Sequence, residues 1–161
     1  MDGNADFDAA RNAALRSLKS HDRSVHEIAE KLSRKGYEAA LIDRVTADLL
    51  RVGLLDDEEM ARRWVGLQLE RKPAGAPWLR NELSRRGVDK QLVELVLEEF
   101  ADQTGSEASA VELLRRQRGR YMSLDMDRAR RRMLGALARR GFDPETASAA
   151  VAIICNTTEE E

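Results

Sequence analysis

The chain has 161 residues, 35% of them charged and 4% aromatic, with three prolines. That length suffices to bury a core, and the alanine, leucine, arginine and glutamate that dominate it are the composition of an all-helical protein. The formal charge of −2 demands no polyanionic partner, and no apolar run approaches the roughly 20 residues needed to cross a bilayer. Cys155 stands alone, so an intramolecular disulfide is excluded, which fits a reducing compartment. The N-terminus carries neither the basic nor the apolar region of a signal peptide. A cytoplasmic chain is expected, without membrane association.

In chain order, an acidic tail (about residues 1–6) precedes a first helix from about Asp6 to Lys19. SHDRS closes it, and Ser24 with Glu27 forms an S-x-x-E capping box for the second helix. That helix ends in LSRKG at Gly36, and a third carries Ile42, Val45 and Leu49 on one face. The next helix starts at Asp56 or Asp57 and carries Met60, Trp64, Leu67 and Leu69, with Trp64 assigned to the core; KPAGAP, residues 72–77, breaks it. A fifth ends in LSRRG at Gly87, and a sixth carries Val93, Val96 and Phe100. The seventh is expected from about Ser106 to Arg118, RYMSLD turns the chain, and the eighth ends in LARRG at Gly141. The ninth opens with Pro144, suited to a first helical position, and carries Ala147, Ala150 and Ile154.

The three glycines lie 51 and 54 residues apart. Four residues before them stand Leu32, Leu83 and Leu137, and directly after them Tyr37, Val88 and Phe142. Leucine, two or three polar residues, glycine and an apolar residue describe a helix stop in which glycine takes the left-handed position and the apolar residue folds back onto the leucine. Glu38, Asp89 and Asp143 come next, each placed to cap the following helix. The chain is thus all-α, with three tandem three-helix repeats at residues 1–52, 53–103 and 104–156, and an acidic tail at 157–161.

These turns, and above all GLLDDEEMARRWV (Gly53 to Val65), resemble the RecX family of regulators of the recombinase RecA. The family typically shows GLLDDERFAxxWV there, and Glu59 and Met60 replace its usual Arg and Phe. KPAGAP stands where the family has a KG-x-G type of turn, and LARRGFDPETA carries the match in the third repeat. The resemblance covers about residues 12 to 155. It implies an elongated, curved, right-handed-type helical array without an active site or cofactor. Such an array would bind RecA and its nucleoprotein filament as a monomer, with at most weak non-specific contact to DNA, and restrain ATP hydrolysis and strand exchange.

The residues offer two candidate partner surfaces. One is the basic doublets Arg34–Lys35, Arg85–Arg86 and Arg139–Arg140, which also favour the dipole of a last helical turn. The other is the tract from Val111 to Arg140, where ten arginines face three acids; like charges one turn apart repel unless something anionic is met. Its candidates are Arg115, Arg116, Arg118, Arg120, Arg130 and Arg131, with Arg71 and Lys72 added at the break in the fourth helix. A metal or catalytic site finds no support: His21 and His26 have no ligand spacing, and the acids Asp56 to Glu59 suit a helix N-terminus on dipole grounds alone. The alternatives are a helix-turn-helix-like DNA-binding protein and a general helical scaffold. The second helices of the glycine-turned pairs argue against base reading, since residues 89–100 carry Asp89, Glu94, Glu98 and Glu99 against Lys90.

Overall fold

The computed structural model describes residues 3–159; Met1, Asp2, Glu160 and Glu161, parts of the two expected acidic tails, lie outside the described residues. Among the described residues there are nine α-helices and no strand: α1 (Gly3–Ser20), α2 (Val25–Arg34), α3 (Ala39–Arg51), α4 (Asp57–Arg71), α5 (Ala76–Arg85), α6 (Lys90–Glu99), α7 (Glu107–Arg116), α8 (Met126–Arg139) and α9 (Pro144–Glu159). Single 3-10 turns follow α6 and α7. None of the helices is long and apolar enough to cross a membrane.

The three glycine turns share one geometry. Gly36, Gly87 and Gly141 have φ of 91°, 76° and 81°, values that an L side chain resists. Their N–H groups donate to the carbonyls of Ser33, Ser84 and Ala138, and those of Tyr37, Val88 and Phe142 to Leu32, Leu83 and Leu137, all at 2.9–3.3 Å. These two bonds satisfy carbonyls that a helix end leaves open. The helix starts are less uniform. Asp143 accepts from the Thr146 N–H at 2.9 Å and Asp89 from the Gln91 N–H at 2.9 Å. Glu38 makes no such bond, because its extra methylene suits the capping loop less well than aspartate. The Ser24–Glu27 capping box is present.

Two expected termini shift. α1 begins at Gly3 rather than Asp6, so residues 3–6 are helical rather than tail, and α9 runs through 157–159. α7 stops at Arg116, and the next residues form a 3-10 turn. The core face of α4 also differs. Met60, Ala61 and Val65 are buried, whereas Leu67 is 49% exposed and Trp64 is half-buried. Positions 61 and 65 lie one turn apart on the inward face, and that register turns Trp64 to its edge. Phe100 and Ile154 are likewise only half-buried; Leu97, Val151 and Cys155 fill the inner positions of α6 and α9.

The chain divides into two compact units, Met1–Arg63 with Leu83–Val93, and Trp64–Glu82 with Glu94–Glu161. The core of unit one comprises Ala10, Ala13, Ala14, Ile28, Leu32, Ile42, Val45, Leu49 and Leu55, the stripes of α1, α2 and α3 meeting with alanines where α1 comes close. In unit two, α7, α8 and α9 enclose Leu113, Leu114, Met133, Leu137, Phe142, Ala150 and their neighbours.

Candidate cationic interface

The two basic letters before each glycine do different things. Arg86 lies in unit one with its side chain 18% exposed. Its guanidinium donates to both Glu27 carboxylate oxygens at 2.9 and 3.0 Å and to the Asp22 carbonyl at 2.8 Å, while its own carbonyl accepts from the Ser24 hydroxyl. Arg140, in unit two, donates to the Pro73 and Lys72 carbonyls at 3.1 and 2.8 Å and lies 3.7 Å above the Trp78 ring, and its carbonyl accepts from the Gly75 N–H at 2.8 Å. Trp78 in turn stacks on Trp64 with ring centroids 5.9 Å apart. Both arginines are therefore held by acceptors inside the fold, where planar, weakly hydrated guanidinium is better suited than ammonium. Arg34, Lys35, Arg85 and Arg139 are exposed, and Arg34 makes a surface pair with Glu30 at 3.3 Å.

Unit two gathers cations from three separate stretches. Lys72 at the end of α4 is half-buried. Burial lowers its pKa, and the charges of Arg140, Arg120 and Arg139 lower it further, while the Glu82 carboxylate acts on Arg140. The same Arg120 and Arg139 act on the Tyr121 phenol, which burial nonetheless holds above its ordinary value, and its hydroxyl donates to Gln117 at 2.9 Å. Neither Arg120 nor Arg139 has an ion pair among the described residues. Arg116 links α7 to the end of α4 through the Arg71 carbonyl at 3.1 Å while pairing with Glu112. Arg71, Arg115, Arg118, Arg130 and Arg131 are exposed; Arg131 reaches back to the Asp127 carbonyl at 3.4 Å. An anion arriving beside Lys72 relieves repulsion already present, so a carboxylate or phosphate is the chemistry this arrangement accepts.

The structure thus sets Arg140 on Lys72 and Arg116 on Arg71 at the end of α4, within the electrostatic reach of Arg120 and Arg139, and leaves Arg34, Lys35, Arg85 and Arg86 in unit one. Sequence spacing missed Glu27, Asp22 and Trp78 as acceptors for the arginines. Glu27 was visible as a capping residue, but its second use for a side chain 59 positions away leaves no local signal. Among the described residues there is no group of three side chains placed to hold a metal.

Tandem three-helix domains, each with a glycine turn between its second and third helices, define the class, an all-α helical-repeat protein. The models of the RecX first, second and third three-helix domains match residues 10–49, 56–97 and 106–151. Among curated relatives, the regulatory protein RecX of Mycobacterium sp. (strain JLS) is 36% identical over 83% of this chain and 74% of its own length. That of Mycobacterium ulcerans is 37% identical over 86% and 80%, and that of Chlorobium phaeobacteroides 29% over 83% and 85%. The crystal structure of RecX from Lactobacillus salivarius shares the fold with a TM-score of 0.76 at 20% identity, covering 92% of this chain and 96% of that one. The chain belongs to the RecX family, whose members are regulatory proteins rather than enzymes.

Proposed function

We propose that the chain binds RecA and its nucleoprotein filament as a cytoplasmic monomer and restrains ATP hydrolysis and strand exchange. The observation that carries the reading is the cationic end of α4, where Arg116 and Arg140 donate to the Arg71 and Lys72 carbonyls and the exposed Arg120 and Arg139 add charge that disfavours the Lys72 ammonium. Family membership supplies the regulatory role; the cluster supplies a surface that an acidic protein face or a phosphate backbone would neutralise. In this reading DNA contact is weak, non-specific and secondary to the protein contact.

The test is titration of the protein into RecA–single-stranded DNA filaments while ATP hydrolysis and strand exchange are followed. Inhibition at or below stoichiometric ratios is expected. The Arg120→Glu/Arg139→Glu double variant should require at least about tenfold more protein for the same inhibition, because two exposed charges are reversed. Its thermal midpoint should hardly move, as neither side chain pairs inside the fold. A filament indifferent to the wild-type protein sinks the reading. Arg86 and Arg140 are unsuitable for this test, since their loss would damage the fold first.

A further inference from the structure

Two of the three glycine turns are used inside the chain on a shared plan, with a carboxylate gripped only at the first. At Gly87 the seat is taken by the first turn of α2: the Ser24 N-cap hydroxyl donates to the Arg86 carbonyl, and Arg86 grips Glu27 and the Asp22 carbonyl. A Cβ added at Gly87 would stand 2.3 Å from the His26 Cβ. At Gly141 the seat is taken by the start of α5: the Gly75 N–H donates to the Arg140 carbonyl, and Arg140 grips the Pro73 and Lys72 carbonyls. A Cβ added there would stand 2.6 Å from the Trp78 nitrogen. Each seat therefore combines a bare glycine backbone, a carbonyl that receives a donor from a helix start, and a cation that holds acceptors just outside or within that start.

The Gly36 turn has the same backbone, with φ of 91° and the same pair of closing hydrogen bonds. Nothing lies within 4 Å of a Cβ added there. Among the described residues the Lys35 carbonyl accepts no hydrogen bond, and the Lys35 and Arg34 side chains are exposed. We propose that the Gly36 turn is a docking seat for the acidic N-terminal turn of a helix on the protein partner, seated as α2 is at Gly87 but with the Lys35 ammonium as a point charge where Gly87 has the Arg86 fork. The partner's N-cap donor meets the Lys35 carbonyl, and its first-turn carboxylate meets the Lys35 ammonium with Arg34 alongside. Acids are favoured in a first helical turn on dipole grounds, as Glu27 shows in the occupied seat. The inference rests on the reading that the partner is the RecA filament and deepens it by naming the element that is gripped.

The test compares wild type, Gly36→Asn and Lys35→Glu for affinity to RecA–single-stranded DNA filaments, with thermal unfolding and sedimentation velocity of the free proteins alongside. Asparagine is among the side chains best tolerated at positive φ, and in the free chain its Cβ meets open space; in a docked seat it would clash. Lys35→Glu alters an exposed charge and keeps the fold. Both variants should bind at least about tenfold more weakly while unfolding within a few degrees of wild type. Wild-type binding with both variants equally tight overturns the seat and leaves the functional reading standing. No binding by wild type overturns both. A concentration-dependent wild-type dimer that both variants abolish, with filament binding intact, makes the occupant a second copy and overturns the proposed partner helix.

Discussion

Arg86 and Arg34 are one letter apart in repeated motifs, yet their surroundings give them opposite weights. Arg34 pairs with Glu30 where the two side chains are 75% and 50% exposed, against 18% and 21% for Arg86 and Glu27. A surface pair contributes little, whereas deleting Arg86 leaves a partly buried carboxylate without its main donor. Arg86→Ala should therefore cost about 2 kcal/mol in urea unfolding at pH 7, and Arg34→Ala under about 0.5 kcal/mol. The larger cost should depend on pH. Burial pushes the Glu27 carboxyl up, but the Arg86 guanidinium and the Ser24 N–H together outweigh it and hold the pKa below its ordinary value. With a depressed folded pKa, the stabilisation is complete above the unfolded carboxylate value of about 4.3 and is lost as pH falls through the lower folded value. The Arg86→Ala penalty should shrink over that acid range; a penalty constant from pH 7 to pH 3 would place its origin elsewhere. Asp57 responds oppositely, since burial raises its pKa despite the Val25 N–H it accepts and the Arg86 charge.

At the scale of the element, the glycine turn is where local conformation and packing separate. All three glycines carry positive φ, so alanine at any of them meets the left-handed penalty of about 1–2 kcal/mol. Gly36→Ala should cost no more than that, because its Cβ meets nothing. Gly141→Ala would also drive a Cβ to 2.6 Å from the Trp78 backbone, and backbone cannot swing aside as a flexible side chain can. Its cost should exceed 3 kcal/mol or so, by the sum of strain and overpacking. Equal melting shifts for the two variants would contradict this account. The pattern of leucine, glycine and apolar residue was legible because the stop-and-turn is written in adjacent residues. The missing Glu38 cap and the outward drift of Trp64 were not, because the first depends on one methylene and the second on which side of α4 is covered.

For the whole molecule, a net charge of −2 conceals a strong local excess of cations. If the cluster around Lys72 meets an anionic partner, inhibition of the filament should weaken steeply with salt, because exposed charges are screened over about 10 Å at 0.1 M. Raising potassium chloride from about 50 to 200 mM should lower the apparent affinity at least tenfold, and the Arg120→Glu/Arg139→Glu variant should show a shallower dependence. Inhibition indifferent to salt would remove this cluster from the interface. The tandem architecture was readable from the 51- and 54-residue spacing of the glycines, and the family models match the three domains in turn. The cluster's members, Lys72 included, were nameable from the sequence, but that Lys72 meets a tract 48 residues further on was not, because only the tertiary fold joins the end of α4 to it.

By itself the sequence determined nine helices, three glycine turns and their repetition, because periodicity, capping and the chirality of the backbone act between residues a few positions apart. Only the tertiary structure decided which cations remain available. Arg86 and Arg140 are withdrawn by acceptors 59 to 68 residues away, and Gly36 alone among the three turn glycines has open space beside it. A side chain's partners depend on what folding brings beside it, and the same pair of basic letters becomes a structural clamp in one repeat and an open seat in another.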